Sequence, residues 1–243
     1  MPPCGDAGVC TDAGAAGAQQ RGRQWSGQVL VVRPFTPRLL DSGGAPVVLV
    51  DIEPTHLRYN TFARRIGPDP VRVLGAQCAG ALLSTAREFA GGELRAQQLQ
   101  AAMQLAVAEV ADQIAPADPL PPRVLSMMAA IRLDPGIASA ALATVAECSA
   151  ARASRLFVDH LGISPRQYAL AVKIQRAALF FGSGRPLTQV AQASGFADSA
   201  HLAKVWQRCY GAPPSRYFLE LASVQGGSIE QAWRRRVRLA HTA

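Results

Sequence analysis

Residues 142–165 read LATVAECSAARASRLFVDHLGISP, and residues 190–217 read VAQASGFADSAHLAKVWQRCYGAPPSRY. The two stretches are one pattern written twice. Leu142-Ala143, Phe157, Gly162 and Pro165 recur as Val190-Ala191, Trp206, Gly211 and Pro214, shifted by 48 residues at the start and by 49 afterwards. The extra residue falls where ECS gives way to GFADS. An insertion costs least in a turn and leaves the helices on either side in register.

In each copy a short helix carrying Leu142/Val190 and Ala143/Ala191 stops at a polar or glycine turn. A second helix then starts at a capping residue, Ser149 in the first copy and Asp198 or the neighbourhood of Ala197 in the second. A side-chain oxygen there satisfies an orphan N–H of the first turn. The alanines at 143 and 191 let the paired helices approach closely. Ala153, Leu156 and Phe157, matched by Leu202, Val205 and Trp206, recur at helical spacing and are expected in the core. Ala151, Arg152 and Arg155, matched by Ala200, His201 and Lys204, then occupy the opposite face. A basic side chain flanked by small ones suits a helix entering a major groove about 12 Å wide. One such helix alone reads better as an ordinary amphipathic helix with a solvated face. Two at matched positions, each closed by Gly-x-x-Pro, favour a reader of two successive grooves.

At this point the chain resembles a known family. Residues 131–217 look like the DNA-binding domain of the AraC/XylS family of bacterial transcription regulators. The second copy carries the sharper match: an Ile-Ala-like pair at Val190-Ala191, a Gly-Phe turn at Gly195-Phe196, a basic-x-aromatic group at Lys204-Val205-Trp206, and a closing Gly-x-x-Pro-x-x-Tyr from Gly211 to Tyr217. The segment between the copies, SPRQYALAVKIQRAALFFGSGR, reads as one amphipathic connector helix. Pro165 suits its first turn, Tyr168, Val172, Ala178 and Phe181 supply core contacts, and Gly182 with Gly184 end it. The resemblance implies that both reading helices lie on one face of the DNA about one helical turn, roughly 34 Å, apart.

The resemblance assigns roles by position. Base contacts fall on Ala151, Arg152, Ser154 and Arg155 in the first unit and on Ala200, His201 and Lys204 in the second. Arg155 is the strongest of these, because a guanidinium pairs with a guanine edge through two bonds at once. Lys204 acts as a point charge toward a base or a phosphate, and His201 reads equally as a partly exposed surface histidine. Contacts to the DNA backbone fall on Arg166, Lys173, Arg185, Gln189, Ser199 and Arg208, polar residues near helix starts that position without specifying. Two residues depart from the family pattern. Glu147 stands where glycine is usual in the first turn, and Ala153 stands where leucine is usual in the first reading helix. The first weakens the turn and brings an acid near phosphates, and the second loosens the packing, so the first unit is expected to bind less tightly or to be less well ordered.

Charge follows the same division. Residues 120–220 carry a net +6, residues 221–243 a net +3 and residues 1–119 a net −1, within a total of +8. The positive potential lies where a polyanion would use it. Basic balance alone also fits RNA or anionic lipid, and the paired units select double-stranded DNA.

The front half is less legible. Residues 1–23, rich in Ala, Gly and Gln, lack the apolar stretch of a signal peptide and read as a disordered tail. Residues 28–33 (QVLVVR) and 46–52 (PVVLVDI) read as two strands. The stretch containing them, residues 25–54, resembles the closing strands of the cupin-like sensory domain that precedes the DNA-binding domain in many AraC/XylS members, although a small unrelated sheet fits nearly as well. With no room for further strands before Trp25, residues 24–116 are expected to form only a partial cupin-like sensory or dimerisation region. Residues 79–89 and 93–114 look helical. In the second, Leu94, Leu99, Met103, Ala106, Val110 and Ile114 form a stripe that serves either intrachain packing or, as the resemblance allows, a homodimer helix over Glu93–Ile114. Residues 117–123, ADPLPPR, read as a proline-rich linker that keeps the two domains apart. Residues 124–220 form the DNA-binding domain, and residues 221–243, with Trp233 and four arginines, a basic tail that reads chiefly as solvated.

The fold class expected is therefore mainly α: an all-α C-terminal domain of two helix-turn-helix units joined by a linker helix, preceded by a small α+β region. The five cysteines follow no C-x-x-C spacing and the four histidines do not cluster, so no metal, cofactor, disulfide framework or catalytic residue is suggested. No run of about eighteen apolar residues argues for a membrane span. The expected partner is double-stranded DNA in the cytoplasm, associated with the nucleoid, with RNA polymerase admitted as a partner and a small-molecule effector left open. Two rival readings stay open: a cupin-type enzyme or DNA-repair methyl acceptor that uses the repeat for targeting, and an interaction module that has lost DNA binding.

Overall fold

The computed structural model describes residues 7–20, 23–34, 36, 39–41, 47–94, 96–180, 183–210 and 213–214, the first and fourth of these stretches by backbone alone. Five antiparallel strands form one sheet: β1 (Ala7–Gln20), β2 (Arg23–Val32), β3 (Leu39–Asp41), β4 (Val48–Ile52) and β5 (Val71–Leu74). β2 lies along one edge of β1 and pairs on its far side with β5. β3 and β4 pair with successive parts of the other edge of β1. The expected strands at 28–33 and 46–52 are thus present as β2 and β4. The expected disordered tail is not: residues 7–20 are a strand paired on both edges. Its alanines and glycines carry little apolar signal, but partners on both sides satisfy backbone groups that a lone segment would leave to water. There is room for a strand before Trp25 after all.

The VLVV run of β2 alternates between the two faces of the sheet. Val29 and Val31 enter the main core, whereas Leu30 and Val32 join Val71 in a smaller cluster behind it. A short helix not foreseen from the sequence, α1 (Tyr59–Arg64), adds Tyr59 and Phe62 to the main core. The spacing of Tyr59, Phe62 and Ile66, all buried, is the helical signal that could have found it. Two longer helices follow, α2 (Gly80–Ala90) and α3 (Ala96–Ile114), close to the expected ranges. Ala106, Val110 and Ile114 of the α3 stripe are buried within the same chain, with Met103 packed against them. Of the two roles open to that stripe, intrachain packing is the one these residues serve.

Six further helices complete the described chain: α4 (Pro122–Leu133), α5 (Ser139–Val145), α6 (Ala150–Leu161), α7 (Pro165–Ala178), α8 (Leu187–Ala193) and α9 (Ser199–Tyr210). The linker expected at 117–123 is shorter, because Pro122 and Arg123 already belong to α4. Nor does it hold two domains apart. One hydrophobic core runs from the sheet through Tyr59, Phe62 and Val110 to Met127, Ile131, Phe157 and Tyr168 of the first helical unit. Polar contacts cross the same boundary: Arg132, which also donates to the Tyr168 hydroxyl at 2.8 Å within its own unit, donates to the Thr55 carbonyl at 3.0 Å, and Arg64 donates to the Val158 carbonyl at 3.2 Å. Gly162, in the left-handed region at φ 73°, ends α6 where a side chain would press on Ala63 of α1.

The second unit has its own core of Ile174, Ala177, Val190, Ala191, Phe196, Leu202, Val205 and Trp206. α7 serves both. Tyr168 and Val172 in its first half enter the main core, and Ile174 and Ala177 in its second half enter the other. A capping box between Ser164 and Gln167, with Pro165 in the first turn, fixes its start. Of the contacts expected for this connector, Tyr168 and Val172 are buried and Ala178 is partly buried, while Phe181 and Gly182 lie outside the described residues. Gly211, Tyr217 and the basic tail 221–243 also lie outside them. No described helix is long and apolar enough to cross a membrane.

Candidate nucleic-acid interface

Each unit is a short helix, a tight turn and a reading helix, and the two turns are built alike. In the first, the amide of Cys148 donates to the Ala143 carbonyl at 3.1 Å; in the second, the amide of Phe196 donates to the Ala191 carbonyl at 2.9 Å. The residue before each of these amides has positive φ: 50° at Glu147 and 83° at Gly195. Glu147 is the only non-glycine with positive φ among the described residues. The first turn therefore keeps the geometry of the second and carries the strain of a side chain there. The Glu147 carboxylate lies 3.7 Å from Arg123 on the surface.

Both reading helices start at the expected caps. The Ser149 side chain accepts from the Arg152 amide at 3.3 Å, and Asp198 accepts from the His201 amide at 2.6 Å. The apolar face of α6 buries Ala153, Phe157 and Leu161, and that of α9 buries Leu202, Val205 and Trp206. Phe157 meets Tyr168 of α7 edge-on with ring centres 5.4 Å apart. Rigid packing on one face leaves the other free for solvent or ligand.

That other face carries the predicted base-reading residues. Ala151, Arg152, Arg155, Ala200, His201 and Lys204 are exposed, and Ser154 is half-exposed. The His201 ring sits edge-on to Phe196 with centres 5.3 Å apart, which steadies it beside the turn. Arg152, Arg155 and Lys204 thus present charge on the face opposite the core.

The expected backbone-contacting residues separate into two groups. Arg166, Arg185 and Gln189 are exposed, and Ser199 is half-exposed at the start of α9. The Arg185 guanidinium lies 4.9 Å from the centre of the Phe180 ring, so its stem is held while its charge stays near solvent. Lys173 and Arg208 are more enclosed. The Lys173 amine lies 6.0 Å from the centre of the Phe196 ring, and its stem lies beside Gly195, where a side chain would meet it. The Arg208 Nε is buried without a hydrogen-bond partner. These two side chains contribute to the second unit's own packing as well as to its charge.

The departure at Ala153 also has a structural consequence. A partly open cavity of about 370 Å³ lies against α6, lined by Ile131, Ile137, Leu142, Ala150, Ala153 and Ala169 among others. Three of these are alanines, and the space is the volume that larger side chains would take.

The cysteine reading needs one correction. Cys78 and Cys148 are free, but Cys209 is disulfide-bonded. A cross-link made by folding leaves no local spacing signal, so C-x-x-C arithmetic could not find it. Among the described residues, no group of three or more His, Cys, Asp or Glu side chains is placed to hold a metal ion.

Residues 142–220 match the model of the family described as "Helix-turn-helix domain". Residues 142–220 thus carry a helix-turn-helix domain of the AraC type. The AraC-type domain is also similar to the "Probable transcriptional regulator LumQ" of Photobacterium leiognathi, 35% identical over 82 residues. An "Uncharacterized HTH-type transcriptional regulator" of Haemophilus influenzae is 35% identical over 77 residues. These matches cover 33% and 31% of this chain, and the chain spans only 33% and 26% of those proteins. The crystal structure of ToxT from Vibrio cholerae O395 aligns with 90% of this chain and 91% of its own, with a TM-score of 0.56 at 13% identity. That likeness is one of fold, and it extends the resemblance to the sheet and helices that precede the AraC-type domain.

Proposed function

We propose that this protein is a sequence-specific DNA-binding regulator of transcription whose α6 and α9 occupy successive major grooves of one duplex. The observation that carries this reading is the pair of reading helices with basic, exposed faces at matched positions, each capped and packed on its other side. Arg155 reads a guanine edge in one half of the site, with Ala151, Arg152 and Ser154 around it. Lys204 acts in the other half, with Ala200 and His201 beside it. Arg166, Arg185, Gln189 and Ser199 hold phosphates, and Lys173 and Arg208 add charge from behind the second unit. Specificity comes from the base contacts and much of the affinity from the phosphates.

The same reading includes a response to a small molecule and a contact with RNA polymerase, and places the protein in the cytoplasm on the nucleoid. ToxT, whose fold this chain shares, has been solved bound to an unsaturated fatty acid and to (E)-4-(8-methylnaphthalen-1-yl)but-3-enoic acid. Support for an effector here is the continuous core that joins the sheet region to the first unit, through which a change in the front half reaches α6. Selection of bound sequences from random duplex DNA tests the function. A two-block motif with blocks about ten base pairs apart is the expected result, and the absence of any enriched duplex would overturn it.

A further inference from the structure

A second cavity, of about 320 Å³, lies where β4 and the residues after it, α3, and the C-terminal half of the connector α7 meet. Its apolar walls include Val50, Ile52, Met103, Val107 and Leu179. Its polar lining residues include Asp51, Glu53, His56, Gln104 and Gln175, with no Lys or Arg among the described residues that line it. The size is at the lower end of ordinary ligand pockets, which span roughly 300 to 1,000 Å³.

Glu53 is the centre of this lining. Tyr210, in the last turn of α9, donates to its Oε1 at 3.1 Å, and Thr55 donates to its Oε2 at 3.2 Å. A carboxylate offers about four lone-pair sites, so these two donors leave it able to accept more. The burial that disfavours its charge pushes its pKa up, and a cation placed beside it would relieve that penalty. His56 adds a second unfilled position. Its Nδ1 accepts from the Arg58 amide at 3.1 Å, while its Nε2 is buried with no partner meeting hydrogen-bond geometry, although the Gln104 carbonyl is close enough to act on its pKa. Arg58, the base of this loop, is already engaged by Asp112 and by the Ala115 carbonyl.

We propose that this cavity binds a small apolar molecule bearing a protonated amine, whose cation pairs with Glu53. This rests on the reading of the chain as an effector-responsive regulator and specifies the effector's chemical class. An anionic ligand such as those in the two ToxT structures would meet the Glu53 carboxylate and no Lys or Arg among the described lining residues. Because Glu53 also holds Tyr210, and Tyr210 packs on Trp206 with ring centres 4.6 Å apart, occupancy is coupled to the second reading helix.

The test is calorimetric titration of the full chain at neutral pH with 2-phenylethylamine, 2-phenylethanol and 3-phenylpropanoate as matched probes. The amine is expected to bind more tightly than the alcohol, and the carboxylate most weakly. Glu53→Gln is expected to weaken the amine by about tenfold or more, the usual worth of a charge-assisted hydrogen bond. Ala178→Leu narrows the cavity without altering its charge and is expected to weaken all three probes, which keeps the test decisive should Glu53→Gln fail to fold. Binding of the amine should also change Trp206 emission in a chain with Trp25 and Trp233 replaced by phenylalanine. Tighter binding of the carboxylate, unchanged amine affinity in folded Glu53→Gln, unchanged affinities in Ala178→Leu, or no amine binding at millimolar concentration would overturn the assignment. Footprinting without any probe separates the two claims. A protected duplex with no amine binding removes the pocket assignment alone, and amine binding with no protected duplex removes the DNA reading alone.

Discussion

Glu147 and Gly195 occupy the same position in the two turns, and both have positive φ, 50° and 83°. Only the glycine adopts that conformation without steric cost. Glu147→Gly is therefore expected to stabilise the protein by about 1 kcal/mol, despite the greater freedom glycine gives the unfolded chain. The lost surface pair with Arg123, at 3.7 Å, subtracts little. Removing an acid near the phosphates should also raise DNA affinity. Thermal unfolding and a DNA titration check both, and a lower melting temperature would contradict the strain assignment.

Filling the cavity beside α6 is the complementary change. Ala153 is buried and lines that space. Ala153→Leu adds three carbons where leucine is usual in the AraC-type pattern, and it should stabilise by about 1 kcal/mol or more. Denaturant unfolding gives the value. Destabilisation would mean that the neighbouring side chains cannot accommodate the added volume.

Specificity should divide between the units. Arg155→Ala is expected to cost about 1 to 3 kcal/mol of binding to the selected site and to relax base preference at one position. Lys204→Ala should relax preference in the other half of the site. Identical sequence logos for parent and variants would contradict these roles, and loss of preference in the same half for both would contradict the two-groove arrangement.

Stability should depend on His56 in a definite direction. Burial, the largest cause, and the positive charge of Arg58 lower its pKa from the ordinary 6.5, against a smaller raising effect of the Gln104 carbonyl. A base whose folded pKa is depressed supports the fold above its unfolded pKa, and that support is lost as pH falls through the folded value. Melting temperatures should therefore fall from neutral pH toward about pH 5, and His56→Gln should reduce the slope. Glu53 acts in the opposite sense, since its pKa is raised and its contribution is lost as pH climbs above 4.5. The difference between parent and His56→Gln at each pH isolates the histidine. An unchanged slope would contradict the burial of a neutral ring.

The C-terminal half was legible because two independent signals coincide there. Helical periodicity placed Phe157 and Trp206 inside, and the repeat placed Arg155 and Lys204 at equivalent exposed positions. Ser149 and Asp198 were readable as caps from residue type and position alone. The front half was read less well for physical reasons. β1 is held by backbone pairing with β2, β3 and β4, and its alanines and glycines carry no apolar alternation that would mark a strand. The stripe on α3 announced a buried face without saying what would bury it, and Val110 and Ile114 pack on their own chain. Contacts such as Arg64 to Val158 and Tyr210 to Glu53 join residues far apart in sequence, and no local pattern encodes them.

The most direct test of the central claim is hydroxyl-radical footprinting of the purified chain on the duplex recovered by selection. Two protected patches on one face of the DNA, about one helical turn apart, with the first weakened by Arg155→Ala and the second by Lys204→Ala, are predicted. A single patch, or patches on opposite faces, would contradict it.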